Sequence, residues 1–421
     1  MIDTTLVNGV AWFDDHGRPV NAHGGGIVHH DGRYYLFGEY KTDDENVFNG
    51  FSCYSSTDLV TWTFERLALP AQPEGLLGPD RIGERVKVMR CPATGVFMMF
   101  AHTDDRTYTD AIIGLATSDT IDGEYTYQGA VTWNGEPLRG WDMGTFQDQD
   151  GTGYLILHEG DILRLSDDYR RVEERVAHNI AVGGESPALF RHDETYFLLF
   201  SNKTSWERND NYYLSAPAVD GPWTNRGLFA PAGTLTWNSQ CTFVLTRDGH
   251  APLYMGDRWS FPHQASAATY VWLPLTITGD QLSLPEFWEA WDPSTDSSVT
   301  LTDAGATVEL TWATNLTGTV VDAPFATRRI ALHGHTTPHS GYARVDVFGE
   351  DLAQPLASAI VDFYSLVEDR SWRYVSPLLP EGPKRIRVTN LGDMPIWFNK
   401  AGHQFGTDDT FVTITRALLA D

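Results

Sequence analysis

Five polar positions, each just ahead of a short apolar run, are the residues of this chain most suited to chemistry. Four of them stand eight residues before the aspartate of a tight turn, and the turn that follows the remaining one is longer. They are His23, Glu84, Asp142, Glu185 and Gln240. A carboxylate beside apolar residues costs free energy unless it is paired or faces a cleft, so three of them favour an active site. The alternative is a structural network in which Arg85 and Arg258 neutralise buried carboxylates.

Two carboxyl groups that face one pocket suit glycosidic bond cleavage. One carboxylic acid protonates the leaving oxygen, while a second group activates water or attacks the sugar directly. Glu185, between Gly184 and the run SPALF, has the more apolar setting. An apolar setting and a neighbouring carboxylate both raise a pKa, so we expect Glu185 to be the acid and Asp142 to tune and orient it.

An internal repeat indicates which elements position these residues. Five units consist of a turn dipeptide followed by an aromatic or aliphatic strand; they are HHDGRYYLFGEY, CPATGVFMMFAH, DQDGTGYLILHE, RHDETYFLLFSN and TRDGHAPLYMGD. Asp-Gly between apolar runs predicts a hairpin. Units repeated at intervals of several tens of residues predict four short strands each and a propeller, whose innermost strands bring matching positions to one axis. The expected fold is therefore all-β, a five-bladed β-propeller, with an irregular β-sandwich as the alternative.

The pattern changes near residue 290. Pro293 and a Ser/Thr/Asp cluster after it indicate a linker, and alternating strands follow to the end of the chain. The sequence predicts a propeller domain over residues 1–290 and a β-sandwich (jelly-roll-like) domain over residues 291–421. Within the second domain Trp372, Tyr374 and Trp397 would form a sugar platform or pack against the propeller.

Composition restricts the partners. Lys and Arg total 30 against 56 Asp and Glu, a formal charge of −26, and such a surface repels nucleic acid. No apolar run approaches the roughly 20 residues that span a bilayer, and the first residues lack a basic and apolar leader. Three cysteines far apart, without metal-ligand spacing, indicate reduced thiols. We expect a cytoplasmic protein, or a secreted one if a leader was removed, with no membrane partner.

The chain resembles glycoside hydrolase family 43, and within it the exo-β-1,3-galactanase subgroup. The phrases that carry the resemblance are VNAHGGGIVHHDGRYYLFGEYK, CYSSTDLVTW, GERVKVM, WDMGTFQDQDG, GGESPALF, NSQCTFV and YMGDRW followed by YVWLPL, over roughly residues 8 to 280. The resemblance implies a five-bladed propeller, inverting hydrolysis by single displacement, Glu185 as general acid and Asp142 as the modulator of its pKa.

One departure from the wider family points to the subgroup. The family normally supplies its catalytic base as an aspartate on the first blade, where this chain has Asn21-Ala22-His23. The galactanase-like subgroup lacks that aspartate too and has a glutamine on the last blade, matched by Gln240, and a glutamate on the second, matched by Glu84. An amide is a poor base, so Gln240 would position water, act as a tautomer, or leave the task to Glu84.

The remaining candidate residues border the sugar. Besides His23, the resemblance suggests Glu39, Tyr108, Thr204 and Asn209, and the tryptophans that would stack on a galactose are Trp141, Trp206 and Trp259. The alternative is ordinary rim or buried side chains. No HxxxH helix supports zinc, so no metal is assigned and no cofactor is required, while oxygen ligands leave room for a structural calcium.

The sequence therefore predicts an exo-β-1,3-galactanase that releases galactose from arabinogalactan-type β-1,3-galactan, with an oligo- or polysaccharide as partner. An α-L-arabinofuranosidase or β-xylosidase on the same scaffold is the alternative within this chemistry. A non-catalytic galactan-binding propeller is the alternative from another class, and a glycoside phosphorylase would need a basic phosphate cradle, for which Arg85 and Arg258 are the candidates.

Overall fold

The computed structural model describes residues 2–43, 46–351, 353–399 and 402–421. Within these ranges the chain is almost all β. The helical pieces are single turns, at Ile2–Thr4, Gly75–Leu77, His158–Gly160, Leu235–Asn238 and Leu301–Ala304. No helix in the described part of the chain is both long and apolar enough to cross a membrane.

Five sheets follow one another along the first part of the chain, and they are antiparallel except for one two-residue parallel pairing in sheet three. Sheet one is His23–His30, Arg33–Glu39, Gly50–Ser56 and Thr63–Pro70, and sheet two is Arg81–Arg90, Phe97–Asp105, Ile112–Ser118 and Thr126–Ala130. Sheet three is Met143–Gln147, Gly153–Leu157, Ile162–Leu165 and Arg171–Ala177, extended by Thr132–Trp133 and Glu136–Pro137. Sheet four is Glu185–His192, Thr195–Ser201, Tyr212–Ala216 and Thr224–Leu228, and sheet five is Gln240–Leu245, Leu253–Arg258 and Thr269–Pro274.

The first hairpin of each sheet turns at the dipeptide that the sequence predicts. Four turn glycines have positive φ, which only glycine adopts without steric cost: Gly32, Gly95, Gly151 and Gly249. In the fourth unit Asp193 takes a left-handed conformation with φ 51°. Sheet five has three strands where four were expected. The Asn8 side chain bonds both backbone groups of Trp272 on its outer strand, so the N-terminal segment covers that edge.

The first strand of each sheet, hereafter its inner strand, contacts the inner strand of the next, and that of sheet five contacts that of sheet one. Alternate residues of a strand face opposite sides, so each sheet packs against two neighbours. Phe37 joins the apolar cluster toward sheet two, whereas its neighbour Leu36 joins the cluster toward sheet five. Phe197 and Leu198 divide in the same way between sheets five and three.

The last part of the chain is a β-sandwich of two four-stranded sheets. One contains Ala306–Thr314, Val412–Ala420, Arg329–Thr336 and Asp369–Val375, and the other Val320–Phe325, Lys384–Asn390, Tyr342–Phe348 and Ala357–Asp362. Their facing apolar side chains form one core. A short hairpin, Ile396–Phe398 with Gln404–Gly406, extends from the sandwich.

The seam between the two parts is closely packed. Leu6–Val7 pairs with Ala290–Asp292, which pairs with Ser297–Ser298, and Thr276–Thr278 with Gln281–Ser283 forms a separate hairpin. The three aromatic side chains considered as a sugar platform, Trp372, Tyr374 and Trp397, are all buried, so they pack rather than present a free face. The three cysteines are buried free thiols.

Candidate active site

The five polar positions lie at the start of the inner strands. His23, Glu185 and Gln240 are the first residues of theirs, Asp142 directly precedes Met143, and Glu84 lies in the first half of Arg81–Arg90. In sheets one, two, four and five the pairing with the second strand is irregular just after the polar residue. A β-bulge re-aims a side chain, and here it lets a polar residue leave the apolar alternation of the strand.

Several backbone conformations at or beside the polar positions are uncommon. Arg85 and Ser186, each the residue after a candidate glutamate, have φ of 58° and 56°, and Asp142 has φ of 21°. Residues held in this left-handed region cost free energy and persist only where surrounding contacts fix them. Ser186 is fixed by its hydroxyl, which donates to the Cys241 carbonyl, and by its amide, which donates to Asp142 Oδ2 at 2.9 Å.

Glu185 and Asp142 share a hydrogen-bonded centre with Gln240 and Arg85. Gln240 Nε2 donates to Glu185 Oε1 at 3.0 Å. Arg85 Nε donates to Asp142 Oδ1 at 3.3 Å, and Arg85 Nη2 donates to Gln240 Oε1 at 2.8 Å. The guanidinium therefore connects the second, third and fifth sheets, and the glutamine amide connects it to the fourth.

Burial and neighbouring charges set the pKa values of Glu185 and Arg85. Burial, followed by the charge of Asp142, raises the pKa of Glu185 to about 8, and Arg85 only partly opposes this. Burial works against the charge of Arg85, yet Asp142 and three other carboxylates raise its pKa above the ordinary value, so it stays a cation. Glu185 is thus a protonated carboxyl at neutral pH, able to donate a proton, beside a fixed ion pair.

Glu84 lies in a second group of hydrogen bonds. Its Oε1 accepts from Tyr108 Oη at 2.8 Å and from Asn46 Nδ2 at 3.0 Å, and its Oε2 lies 3.6 Å from His102 Nδ1. Burial opposes the charge, but the interaction with His102 holds the pKa of Glu84 well below its usual range. Burial also disfavours imidazolium, yet the hydrogen bond to Asp104 and the nearby carboxylate of Glu84 raise the pKa of His102 to about 9.

Glu39 and Lys41 form a buried ion pair at the same centre. Lys41 Nζ is 2.6 Å from Glu39 Oε2, and the Arg85 amide donates to Glu39 Oε1 at 2.9 Å. Burial raises the pKa of Glu39, while Lys41 opposes the rise. Because Lys41 Nζ also donates to Asn46 Oδ1 at 2.6 Å, this pair is connected to the Glu84 group.

Trp259 and His23 are buried behind Gln240. Trp259 Nε1 donates to Gln240 Oε1 at 2.8 Å, so that oxygen accepts two hydrogen bonds. His23 has no exposed surface; its Nδ1 is 3.0 Å from Asp257 Oδ1, and its ring stacks on Tyr270 with centroids 4.4 Å apart. These contacts give both rings a supporting position in the free protein, and their assignment to sugar binding stays a prediction.

The other predicted contacts lie on loops. Asn209 is fully buried and organises the loop over 202–209, since its Oδ1 accepts from the amides of Thr204 and Ser205, each at 3.1 Å. Trp206 on this loop is 38% exposed, and Trp141, beside His158, is 42% exposed. Both tryptophans have free surface, although the Trp206 ring also packs edge-on against Phe261 and Trp397, and their stacking on a sugar stays a prediction.

One set of side chains has the spacing of a metal site. The ligand atoms of Glu84, His102 and Asp142 all lie within 4.8 Å of one another. A metal binds the neutral imidazole, so it would have to displace the proton that Asp104 and Glu84 favour on His102.

Several residues of this centre were given no role in the site by the sequence analysis. His102 lies directly opposite Glu84 in the hairpin register, and Lys41 is two residues after Glu39, so hairpin geometry would have suggested both. Arg85 was considered only as a counter-ion or a phosphate ligand. The donor to Gln240, Trp259, was assigned to the sugar instead, because a flat aromatic ring suits stacking on a sugar and its position just after the strand Leu253–Arg258 does not by itself indicate the contact.

The family model for glycosyl hydrolases family 43 matches residues 19–227. Among solved structures, the chain is 36% identical to a putative exo-β-1,3-galactanase from Bifidobacterium bifidum s17, with a TM-score of 0.62, over 66% of this chain and 95% of that one. No curated protein matches the chain.

Two further structures cover nearly the whole chain. One is the exo-β-1,3-galactanase of Phanerochaete chrysosporium with galactose, at 26% identity and a TM-score of 0.73, over 99% of this chain and 100% of that one. The other is an exo-β-1,3-galactanase from Clostridium thermocellum, at 27% identity and a TM-score of 0.64, over 98% of this chain and 87% of that one. The similarity therefore includes the sandwich as well as the five sheets.

Proposed function

The chain belongs to glycosyl hydrolases family 43, and from this we propose that it is an inverting exo-β-1,3-galactanase that releases galactose from β-1,3-galactan. The observation that carries the proposal is the protonated Glu185 beside Asp142. Arg85 donates a hydrogen bond to Asp142, and Gln240 donates one to Glu185. The similar Phanerochaete protein was solved with galactose and with β-1,3-galactotriose, which supports the sugar and the linkage.

We assign the general acid to Glu185. A general acid must hold its proton at the working pH and release it to the leaving oxygen, and burial beside Asp142 favours the first. When the proton leaves, the new carboxylate retains the hydrogen bond from Gln240 Nε2 at 3.0 Å. Asp142, anchored by Arg85 and the Ser186 amide, acts as the fixed charge that keeps the pKa of Glu185 high.

We assign Gln240 to positioning and favour Glu84 for activating water. The Gln240 oxygen already accepts from Arg85 and Trp259, so taking a further proton from water as a tautomer would break a charge-assisted hydrogen bond. Glu84 is an ionised carboxylate, and one of its oxygens lies within 4.8 Å of an Asp142 oxygen. Its low pKa makes it a weak base in the free enzyme, and sugar binding that displaces its donors would strengthen it.

For the sugar contacts we propose the residues that surround this centre. Glu39 and Tyr108 present a carboxylate and a hydroxyl beside Glu84, while Thr204 and Asn209 shape the loop that carries the exposed Trp206. Hydrogen bonds that buried carboxylates accept from sugar hydroxyls strengthen where water is excluded, which favours sugars whose hydroxyls match the site.

We further propose that the five sheets are the blades of a closed propeller and that it and the sandwich meet near residue 290. The apolar clusters between successive sheets, including the one between sheets five and one, support closure. That the sandwich is jelly-roll-like or binds carbohydrate stays a prediction, as do the cytoplasmic location, the absence of nucleic-acid and membrane partners, the lack of a required cofactor and the structural calcium.

The first test is hydrolysis of β-1,3-galactobiose followed by NMR of the anomer formed first. Single displacement gives α-galactose from a β-linkage, so initial β-galactose would refute the inverting assignment. Release of arabinose or xylose from their nitrophenyl glycosides, with no galactose from galactobiose, would replace the galactanase by an arabinofuranosidase or xylosidase. Calorimetric binding of galacto-oligosaccharides without turnover would indicate a binding protein, and a requirement for phosphate would indicate a phosphorylase.

A further inference from the structure

The loop that carries Trp259 begins beside the candidate active site and reaches the sandwich. It covers residues 259–268 and joins the second and third strands of sheet five. The pairing of these strands ends at Arg258, which lies opposite Thr269, so Trp259 is the first residue beyond the ladder. Ladder hydrogen bonds fix the strand but not the residue after it, and the position of Trp259 therefore depends on contacts that the loop makes.

The Trp259 side chain is buried within the candidate active site. Its Nε1 donates to Gln240 Oε1 at 2.8 Å. Its ring centre lies 5.8 Å from Lys41 Nζ and 5.8 Å from Arg85 Cζ, within the range of cation–π attraction. Hydrogen bonds weaken steeply when their angle or length departs from the ideal. A small displacement of this ring would therefore weaken the bond that orients the glutamine.

The sandwich holds the two residues that directly follow Trp259. Tyr342 Oη donates to the Phe261 carbonyl at 2.8 Å. The Ser260 hydroxyl lies 2.8 Å from Tyr342 Oη and 3.0 Å from Asp362 Oδ2, and its single proton goes to one of these oxygens. Ser260 and Tyr342 are both buried. Hydrogen bonds are electrostatically stronger where water is excluded, so these contacts fix the start of the loop.

The two sandwich residues are fixed in turn by their own sheet. Tyr342 and Asp362 lie directly opposite each other at the ends of two paired strands, so their side chains share one face. Asp362 Oδ1 accepts from the Tyr364 amide at 2.8 Å. The Tyr342 ring packs edge-on against the ring of His263, with centroids 4.6 Å apart. The sandwich therefore presents a preformed pair of polar groups to the loop.

The carbonyl of Trp259 is connected to the sandwich as well. Arg208 Nη2 donates to this carbonyl at 3.3 Å. The Arg208 guanidinium lies over the ring of Tyr364, 5.4 Å from its centroid. Support from the sandwich thus reaches the Trp259 peptide from both directions, through Arg208 and through the residues that follow the tryptophan.

We propose that Tyr342 is a positioning residue for the reaction. Its hydroxyl fixes Ser260 and Phe261, and this holds the Trp259 indole where it donates to the Gln240 oxygen. Tyr342 acts through Trp259 and not on the sugar itself, so the sandwich forms part of the unit that carries out catalysis. The inference rests on the proposed function, in which Gln240 positions the reacting groups.

The first experiment compares Tyr342→Phe with Val345→Ala on β-1,3-galactobiose. Tyr342→Phe keeps the ring and removes the hydroxyl. It should lower kcat about threefold to tenfold, the range of one neutral hydrogen bond, and leave KM within about twofold, because Gln240 acts in the chemical step. Val345 lies on the same strand in the sandwich core, so Val345→Ala should lower the Tm while kcat is unchanged. An equal fall of kcat in both variants would show a general effect of sandwich stability and would overturn the proposal.

A double-mutant cycle tests whether Tyr342 acts through Trp259. Groups that act through one contact have non-additive effects, so Tyr342→Phe should change kcat less than about 1.5-fold when Trp259→Phe is already present. Two effects that multiply in the double variant would mean that Tyr342 acts independently of Trp259, and the positioning role would be excluded.

NMR of the tryptophan indole N–H groups gives a measurement that needs no turnover. The Trp259 signal is the one missing from Trp259→Phe; it should move in Tyr342→Phe and stay in place in Val345→Ala. If the unchanged protein releases no galactose, the galactanase proposal fails, but this signal still decides whether Tyr342 positions Trp259, and an unmoved signal overturns that inference. If Tyr342→Phe does not fold, Ser260→Ala removes the contact from the loop side and carries the same expectations.

Discussion

Replacing Glu185 with glutamine removes the transferable proton from the candidate acid while keeping the shape of the side chain. The amide oxygen of Glu185→Gln can still accept from Gln240 Nε2, so we expect the fold and the hydrogen-bonded centre to persist. What is lost is acid catalysis, because an amide does not give up a proton to a leaving oxygen at neutral pH.

The structure supplies a magnitude for this loss. A rise in the pKa of Glu185 from 4.5 to about 8 corresponds to roughly 5 kcal/mol in favour of the protonated carboxyl. At pH 7 roughly ten carboxyls are then protonated for each ionised one, so nearly all enzyme molecules hold the acid ready. Losing a general acid typically lowers kcat by about 10² to 10⁴-fold, and the Kd for galacto-oligosaccharides should change little.

The assay measures kcat on β-1,3-galactobiose and on an activated aryl β-galactoside. An aryl group that leaves readily needs little protonation, so Glu185→Gln should lose far less activity on it than on the disaccharide. For the unchanged enzyme, activity should be full below the pKa and fall as the pH rises through about 8. The reasoning would be refuted by a Glu185→Gln enzyme whose kcat on galactobiose stays within about threefold of the unchanged enzyme.

Further predictions concern the groups around Glu185. Asp142→Asn removes a negative charge that raises the pKa of Glu185, so the alkaline limb of the pH profile of kcat should move to lower pH. Gln240→Glu adds a negative charge beside Glu185, so the same limb should move to higher pH. An alkaline limb at the same pH in both variants would contradict the electrostatic account. Trp259→Phe removes one donor to the Gln240 oxygen and should lower kcat/KM about threefold to tenfold, the range of one neutral hydrogen bond, with circular dichroism checking that the fold is unchanged. Glu84→Gln should lower kcat by roughly 10² or more if Glu84 activates water, and added azide should then restore turnover and yield α-galactosyl azide; a nearly active variant would exclude that role.

Sequence reasoning located the inner-strand positions because hairpins are local. The turn residues fix where a strand reverses, and counting back from them finds the strand start, so His23, Glu185 and Gln240 could be identified without any tertiary contact. The repeat likewise predicted five successive sheets. That sheet five ends at its third strand and that an added pair of strands extends sheet three were not predictable, because edge pairing depends on which segment lies nearby in the fold.

The residue types at the centre and the all-β strand pattern that positions them can be read from the sequence alone. Their chemistry comes from the packing of the sheets: Arg85 contacts Asp142 and Gln240 from two other sheets, and Glu185 acquires its raised pKa from burial and from Asp142 on the neighbouring sheet. The physical reason is that hairpin signals act over a few residues, whereas a pKa depends on charges and solvent exclusion supplied by residues that are distant in sequence. The same holds for the seam, where Tyr342 and Asp362 contact Ser260 only because the two parts of the chain pack together.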